Sequence, residues 1–313
     1  MADGDGAALA TARPARERRR RTAAQGCMGS RTACAGCRVR RVAVCAALDD
    51  AELPDLESIM VHRCRVQGHM LMLEGDPADH VFSIVSGGVK LYKSLPDGRQ
   101  QIVACLLPGD CLTPPDSGGY VFSAEALTET EFCEFPRGAF DRVVRKYEKL
   151  KRHMQRIACD ELAAAHEHML VLGRKNALER LCSFLVDLRA RTAQWGGPTD
   201  PLHVPLQRTE IADYLGLSME TVSRAFSRMR ALGLIRIPAR PEEICIVDLP
   251  RVEAIANGGV RREPGTARPR AVTDGEAAPG TVPVFPDAGI ARPCCGSAAD
   301  THPCVWRPAA PFF

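Results

Sequence analysis

Between Gln207 and Arg230 the apolar residues fall on two short helical faces joined by a single glycine, and few folds can accept that arrangement. Ile211 and Leu215 recur four apart, Gly216 supplies the left-handed backbone that ends a helix, and Ser218 offers a side-chain oxygen to cap the next one. Val222, Phe226 and Met229 form the inner face of the second helix, which leaves Glu220, Ser223, Arg224 and Arg228 outside. The expected structure is helix, tight turn, helix. A helical hairpin with a solvated charged face would share the outer pattern, but the string Leu215-Gly-Leu-Ser-Met-Glu-Thr-Val-Ser-Arg224 is more specific than either half. Gly233 to Ile237 and Ile244 to Val247 can pair around Pro238 to Glu243 as a wing.

The outer face has the chemistry to read a DNA major groove. Glu220, Ser223 and Arg224 stand at i, i+3 and i+4 near the start of the second helix, the part that reaches base edges, with Arg228 one turn further on. Arg224 can fork onto guanine O6 and N7, Glu220 can accept from a cytosine or adenine amino group, and Ser223 can bond a base or phosphate. Charge alone would not suggest a nucleic-acid partner: the net is +3, and the first 33 residues carry seven arginines against Asp3, Asp5 and Glu17, a surplus of four.

Residues 1–33 and 257–313 lack hydrophobic periodicity and are expected to be a disordered basic arm and a disordered tail. From Leu48 to Phe135 short strands such as Val81 to Val85 and Val89 to Tyr92 alternate with turns at about ten-residue spacing, the pattern of a small β-barrel or sandwich. Phe140, Val143, Tyr147, Leu150, Met154 and Ile157 then recur at spacings of three and four, with no Gly or Pro between Ala139 and Leu172. That run predicts one long helix over 136–172, suited to pairing with a second copy, or else a core helix packed on its own roll. The expected fold class is α+β: cysteine-rich segment and β-roll over 34–135, dimerisation helix over 136–172, winged helix-turn-helix over 173–256.

Two sets of residues carry a resemblance. Glu74-Gly75-Asp76-Pro77 followed by Ser86-Gly-Gly-Val-Lys-Leu-Tyr92 is similar to the β-roll of the cyclic-nucleotide-binding superfamily, and the stretch from Cys34 to Val247 resembles the CRP/FNR family of transcription regulators. Gln207 departs from the Ser or Thr expected at that helix cap, which should weaken the cap without abolishing the fold. The resemblance implies a homodimer on a palindrome of TTGAT-type half-sites about 10 base pairs apart. It also implies RNA polymerase as second partner, with the Asp97-Gly98-Arg99 turn as one contact. No nucleophile and base pair or Gly-rich phosphate loop points to an enzyme. No signal-peptide segment or bilayer-length apolar run is present, so a cytoplasmic protein without membrane contact is expected.

The effector is the open question. Binding a cyclic nucleotide would call for an Arg-Ser or Arg-Thr pair on the phosphate, but Gly109 to Ala124 holds no basic residue and two acids, Asp110 and Asp116, so no cyclic nucleotide is expected. Fourteen cysteines in a reducing compartment raise ligation instead of disulfides. Cys34, Cys37 and Cys45 place three thiols within twelve residues, and Cys64, Cys105, Cys111 and Cys133 are candidates for a fourth. Cys133-Glu134-Phe135-Pro136 is similar to the Cys-Glu-hydrophobic-Pro string of the oxygen-sensing FNR branch. That resemblance implies Cys34, Cys37, Cys45 and Cys133 as ligands of a [4Fe-4S] cluster that oxygen degrades, disassembling the dimer. Zinc on the same four thiolates and haem through His62, His69 or His80 are the rivals. Cys64, Cys105, Cys159, Cys182 and Cys245 are expected in the core, and Cys27, Cys294, Cys295 and Cys304 in or beside the tails. Glu161 either enters the seam between two long helices, repelling its mate, or flanks a seam that has drifted to Ala158, Leu162, Ala165 and Met169.

Overall fold

The computed structural model describes residues 34–114 and 118–259. The expected basic arm, nearly all of the tail, Asp116 and the four tail cysteines lie outside the described residues. Eight strands make the roll: β1 (Val61–Arg65), β2 (Met70–Met72), β3 (His80–Ser86), β4 (Val89–Ser94), β5 (Gln100–Leu106), β6 (Cys111–Leu112), β7 (Ser123–Ala126) and β8 (Thr130–Pro136). They form two antiparallel sheets, ordered β1-β8-β3-β6 and β2-β7-β4-β5. Alternating residues of both fill the space between them: Phe82, Ile84 and Phe132 from one sheet meet Val89, Leu91 and Ala124 from the other. Phe82 packs on the Phe132 ring at 5.8 Å and on Tyr120 at 6.3 Å, so aromatic rings occupy the roll interior.

Ahead of the roll, Cys34–Gly36 and Val44–Ala47 are single 3-10 turns, followed by the short helix α1 (Leu53–Glu57). Behind it the expected long helix is two: α2 (Arg137–Lys146) and α3 (Glu148–Arg174). The break is at Tyr147, whose backbone is extended (φ −119, ψ 104). Its hydroxyl donates to Asp55 Oδ2 at 2.6 Å, and Lys146 pairs with the same carboxylate, so two side chains draw the chain out of the helix toward α1. Phe140, Val143 and Leu150 are buried against Val44, Leu56, Val81 and Phe135. The first half of the apolar stripe therefore packs on its own roll. Beyond the stripe α3 is open, with Leu162 57% and Met169 60% exposed.

The C-terminal unit begins with α4 (Ala177–Gln194), started by a capping box between Asn176 and Glu179. The expected helix pair follows as α5 (Arg208–Leu215) and α6 (Met219–Ala231). Gly216 ends α5 at φ 60, and Ser218 Oγ accepts from the Thr221 N–H at 3.2 Å. The Gln207 departure is offset from the other side, since its N–H donates to Glu210 Oε2 at 2.8 Å. The wing strands β10 (Ile235–Arg236) and β11 (Glu243–Ile246) pair as expected; β9 (Leu202–His203) extends their sheet and α7 (Leu249–Ala256) packs on α4, and neither was read from the sequence. Roll and C-terminal unit share a core, and polar contacts fasten them. Lys90, 8% exposed, bridges Glu125 at 3.2 Å and Glu210 at 2.8 Å, and Gln101 donates to the Asp213 carbonyl at 2.6 Å. Among the described residues no helix is long and apolar enough to cross a membrane.

Candidate cysteine site and nucleic-acid interface

Three thiols from one twelve-residue stretch and a fourth 88 residues further on share one cavity beside the roll. Cys34, Cys37 and Cys45 lie on the turns before the roll and Cys133 on β8, and all four line one small cavity of about 30 Å³. Its other walls are largely apolar, with Val39, Val44, Leu56, Val85 and Phe135 among them. The turn segment can lie this close because Gly109, at φ 100, has no side chain: a Cβ there would stand 2.7 Å from Val42 Cγ2.

Burial raises Cys34, Cys45 and Cys133. Cys133 is pushed up to about 12 by loss of water and then by the facing Cys34, Cys37 and Cys45 sulfurs. Cys34 is pushed up to about 11 by burial, then Glu57 and the neighbouring thiols, with Arg40 pulling the other way. Burial also raises Cys45, again against Arg40. Buried sulfurs of this kind give up their protons when a bound cation compensates the charge, which is what a metal group supplies. The donor set and apolar walls suit a thiolate-held group. The cavity's volume is that of about one water molecule, so seating anything larger requires the turn segment to move outward from β8. Among the described residues no three Cys, His, Asp or Glu groups converge as a single-ion site.

The remaining cysteines divide differently from expectation. Cys105, Cys111 and Cys182 are buried, but Cys159 is exposed on α3, Cys245 is half-buried on β11 and Cys64 half-buried on β1. The edge and two-sided positions of these elements defeat a reading based on local apolarity alone. Asp110, read as an acid that repels phosphate, has a structural role as well: it accepts from the Leu107 N–H at 2.7 Å and pairs with Arg191 of α4.

On α6 the interface residues stand as the 3.6-residue period requires. Val222, Phe226 and Met229 are buried; Glu220, Ser223, Arg224 and Arg228 are exposed along one face. Arg224 Nη1 rests 3.1 Å from Glu220 Oε1, one turn away, and both side chains are open to water, so the pair costs little to separate. Sequence reasoning missed Arg180. Its guanidinium bonds the Leu172 carbonyl at 2.6 Å, the Lys175 carbonyl at 2.8 Å and the Leu215 carbonyl at 2.7 Å, so one side chain satisfies the ends of α3 and α5 together.

Residues 65–147 match the cyclic nucleotide-binding domain model and residues 179–255 the Crp-like helix-turn-helix model. The chain is 39% identical to the nitrogen fixation regulation protein FixK of Bradyrhizobium diazoefficiens, over 71% of this chain and 93% of that one. The chain belongs to the CRP/FNR family of transcription regulators. Other members of this family lie close: the transcriptional activator FnrL of Cereibacter sphaeroides is 36% identical (70% and 90% covered), and the activator Anr of Pseudomonas aeruginosa 33% (72% and 93%). The structure of FixK2 from Bradyrhizobium japonicum superposes with a TM-score of 0.59 at 30% identity, covering 63% of this chain and 97% of that one. As a CRP/FNR protein the chain is a DNA-binding regulator and not an enzyme, with α6 as the second helix of its helix-turn-helix.

Proposed function

We propose that this regulator is a cytoplasmic transcription activator that senses oxygen through a [4Fe-4S] cluster held by Cys34, Cys37, Cys45 and Cys133. The observation that carries the reading is the cavity those four thiols line, three from the leading turns and one from β8. When bound, such a cluster supplies chemistry that oxygen can destroy. The same four thiolates also satisfy a tetrahedral zinc ion, and the iron, sulfide and zinc analysis below separates the two. Haem needs a broad flat slot, and Phe82, Tyr120 and Phe132 fill the roll that His62, His69 and His80 border. The activators FnrL and Anr among the relatives support activation.

The residues that would carry the signal to DNA are in contact. His153 of α3 meets the Ala43 carbonyl at 3.3 Å, and Lys149 of α3 pairs with Asp49 and Glu52, so the ligand-bearing segment is anchored on the helix expected to dimerise. A group that binds the segment more tightly in the dimer than in the monomer shifts that equilibrium. The seam available on α3 is the exposed row Ala158, Leu162, Ala165 and Met169. Glu161 is exposed, and partial loss of water and then the Asp110 carboxylate push its acid up. Leu162→Glu should therefore weaken the dimer about 100-fold or more, the cost of an unpaired charge in a closing interface. Glu161→Leu should leave dimerisation nearly unchanged. Sedimentation measures both, and the reverse ranking would put Glu161 in the seam.

On DNA, the dimer would place two α6 helices on a palindrome, with the exposed Asp97-Gly98-Arg99 turn free to meet RNA polymerase. Arg224→Ala should cost about 1–3 kcal/mol in operator binding and relax the preference at its guanine. An equal loss on random DNA would make Arg224 a phosphate contact only. The cluster reading is tested by purification without oxygen, followed by a visible spectrum and iron, sulfide and zinc analysis. Iron and acid-labile sulfide with a broad visible absorbance support it. Colourless, iron-free protein that already binds its operator overturns it.

A further inference from the structure

Three arginines lie in the loop between Cys37 and Cys45, and one of them is turned inward. Arg38 and Arg41 are exposed, whereas the Arg40 side chain is only 16% exposed. Its Nη1 donates to the Cys45 carbonyl and its Nη2 to the Leu48 carbonyl, five and eight residues ahead. The Arg40 carbonyl in turn faces Cys45 Sγ at 4.0 Å, and its N–H donates to the Cys37 carbonyl at 3.1 Å. Arg40 therefore touches the ligand segment before and after the loop. The donation from Nη1 also sets the guanidinium charge beside the Cys45 backbone.

We infer that Arg40 is a positioning residue of the cysteine site: its fork closes the Cys37 to Cys45 loop so that Cys45 faces the cavity, and its charge balances the negative charge that thiolate ligation gathers there. The charge role rests on the four-cysteine reading above; the loop closure does not. The guanidinium is required for closure because a planar fork donates to two carbonyls at once, which a single ammonium on a flexible stem does not hold in place. Asp50, whose side chain is 96% exposed, stands 3.8 Å from Nη2 on the solvent side.

Two full-length variants separate the roles. Arg40→Lys keeps the charge and loses the fork; Arg40→Met loses both. In protein stripped of metal, hydrogen exchange of the 44–48 amides should rise by about tenfold in both variants, as expected from losing one or two hydrogen bonds. Unchanged exchange in both overturns the loop closure. In anaerobically reconstituted protein, Arg40→Met should lower the one-electron midpoint potential by about tenfold in equilibrium constant, ~59 mV. Arg40→Lys should stay near the parent. A potential that follows loop exchange instead of charge, falling equally in both variants, overturns the charge role, as does one unchanged in Arg40→Met. If Arg40→Met takes up no iron, a lowered potential in Arg40→Lys overturns the charge role and a parental one upholds it. Parent protein that takes up no iron overturns the four-cysteine reading and the charge role with it, while the exchange result still decides the loop.

Discussion

Cys133→Ser, reconstituted without oxygen, is expected to hold iron and sulfide at background, while Cys159→Ser retains about four irons per chain. The contrast follows from position. Cys133 sits mid-strand on β8, held by pairing to His62 on one side and Ser83 on the other, and it is the one roll cysteine lining the cavity of Cys34, Cys37 and Cys45. A serine oxygen is a poor partner for iron and cannot be moved by that rigid strand. Cys159 is exposed on α3. Because Cys133 faces a small cavity at the edge of the packing, the substitution should leave the far-ultraviolet spectrum of the folded chain unchanged. Equal iron in the two variants would remove Cys133 from the ligand set.

Leu215→Ala is expected to destabilise the DNA-binding unit strongly. Leu215 is fully buried at the end of α5, beside the Gly216 turn, and its carbonyl is held by Arg180. Removing three carbons there leaves a cavity among Ile211, Val222 and Phe226 and should cost about 2–5 kcal/mol. A domain has only about 5–15 kcal/mol in total, so operator binding should fall with the folded fraction at physiological temperature. Thermal unfolding followed by circular dichroism reads the loss directly, and Leu162→Ala, on the exposed face of α3, should stay within about 0.5 kcal/mol for the monomer. A shift at Leu215 no larger than at Leu162 would mean that the turn is not fixed by this packing.

The helix-turn-helix was legible because its determinants are local. Gly216 and Ser218 act within a few residues, and the inner and outer faces of α6 follow from a fixed period. The long helix is present as α3, but its break at Tyr147 was not legible, because periodicity reports that a face is buried, not what buries it. Phe140, Val143 and Leu150 continue the heptad spacing toward Ile157, yet they close on the roll, and Asp55 from α1 draws Tyr147 out of the helix. Arg180 and Lys90 were invisible for the same reason: their partners lie on other elements, and lone basic residues in a sequence give no sign of a carbonyl or carboxylate waiting across the fold.

By itself, then, the order of residues determined the α+β succession of roll, helix and winged unit, the exposed set Glu220, Ser223, Arg224 and Arg228, and the spacing of Cys34, Cys37 and Cys45. Those rest on backbone geometry and side-chain period, which act over a few residues. Only the tertiary structure put Cys133 on the same cavity as the three leading thiols, brought Asp110 near enough to Glu161 to act on its charge, and turned Arg40 inward onto the Cys45 and Leu48 carbonyls. Such pairings depend on strand register and on which surfaces exclude water, and neither is specified by any short stretch of chain.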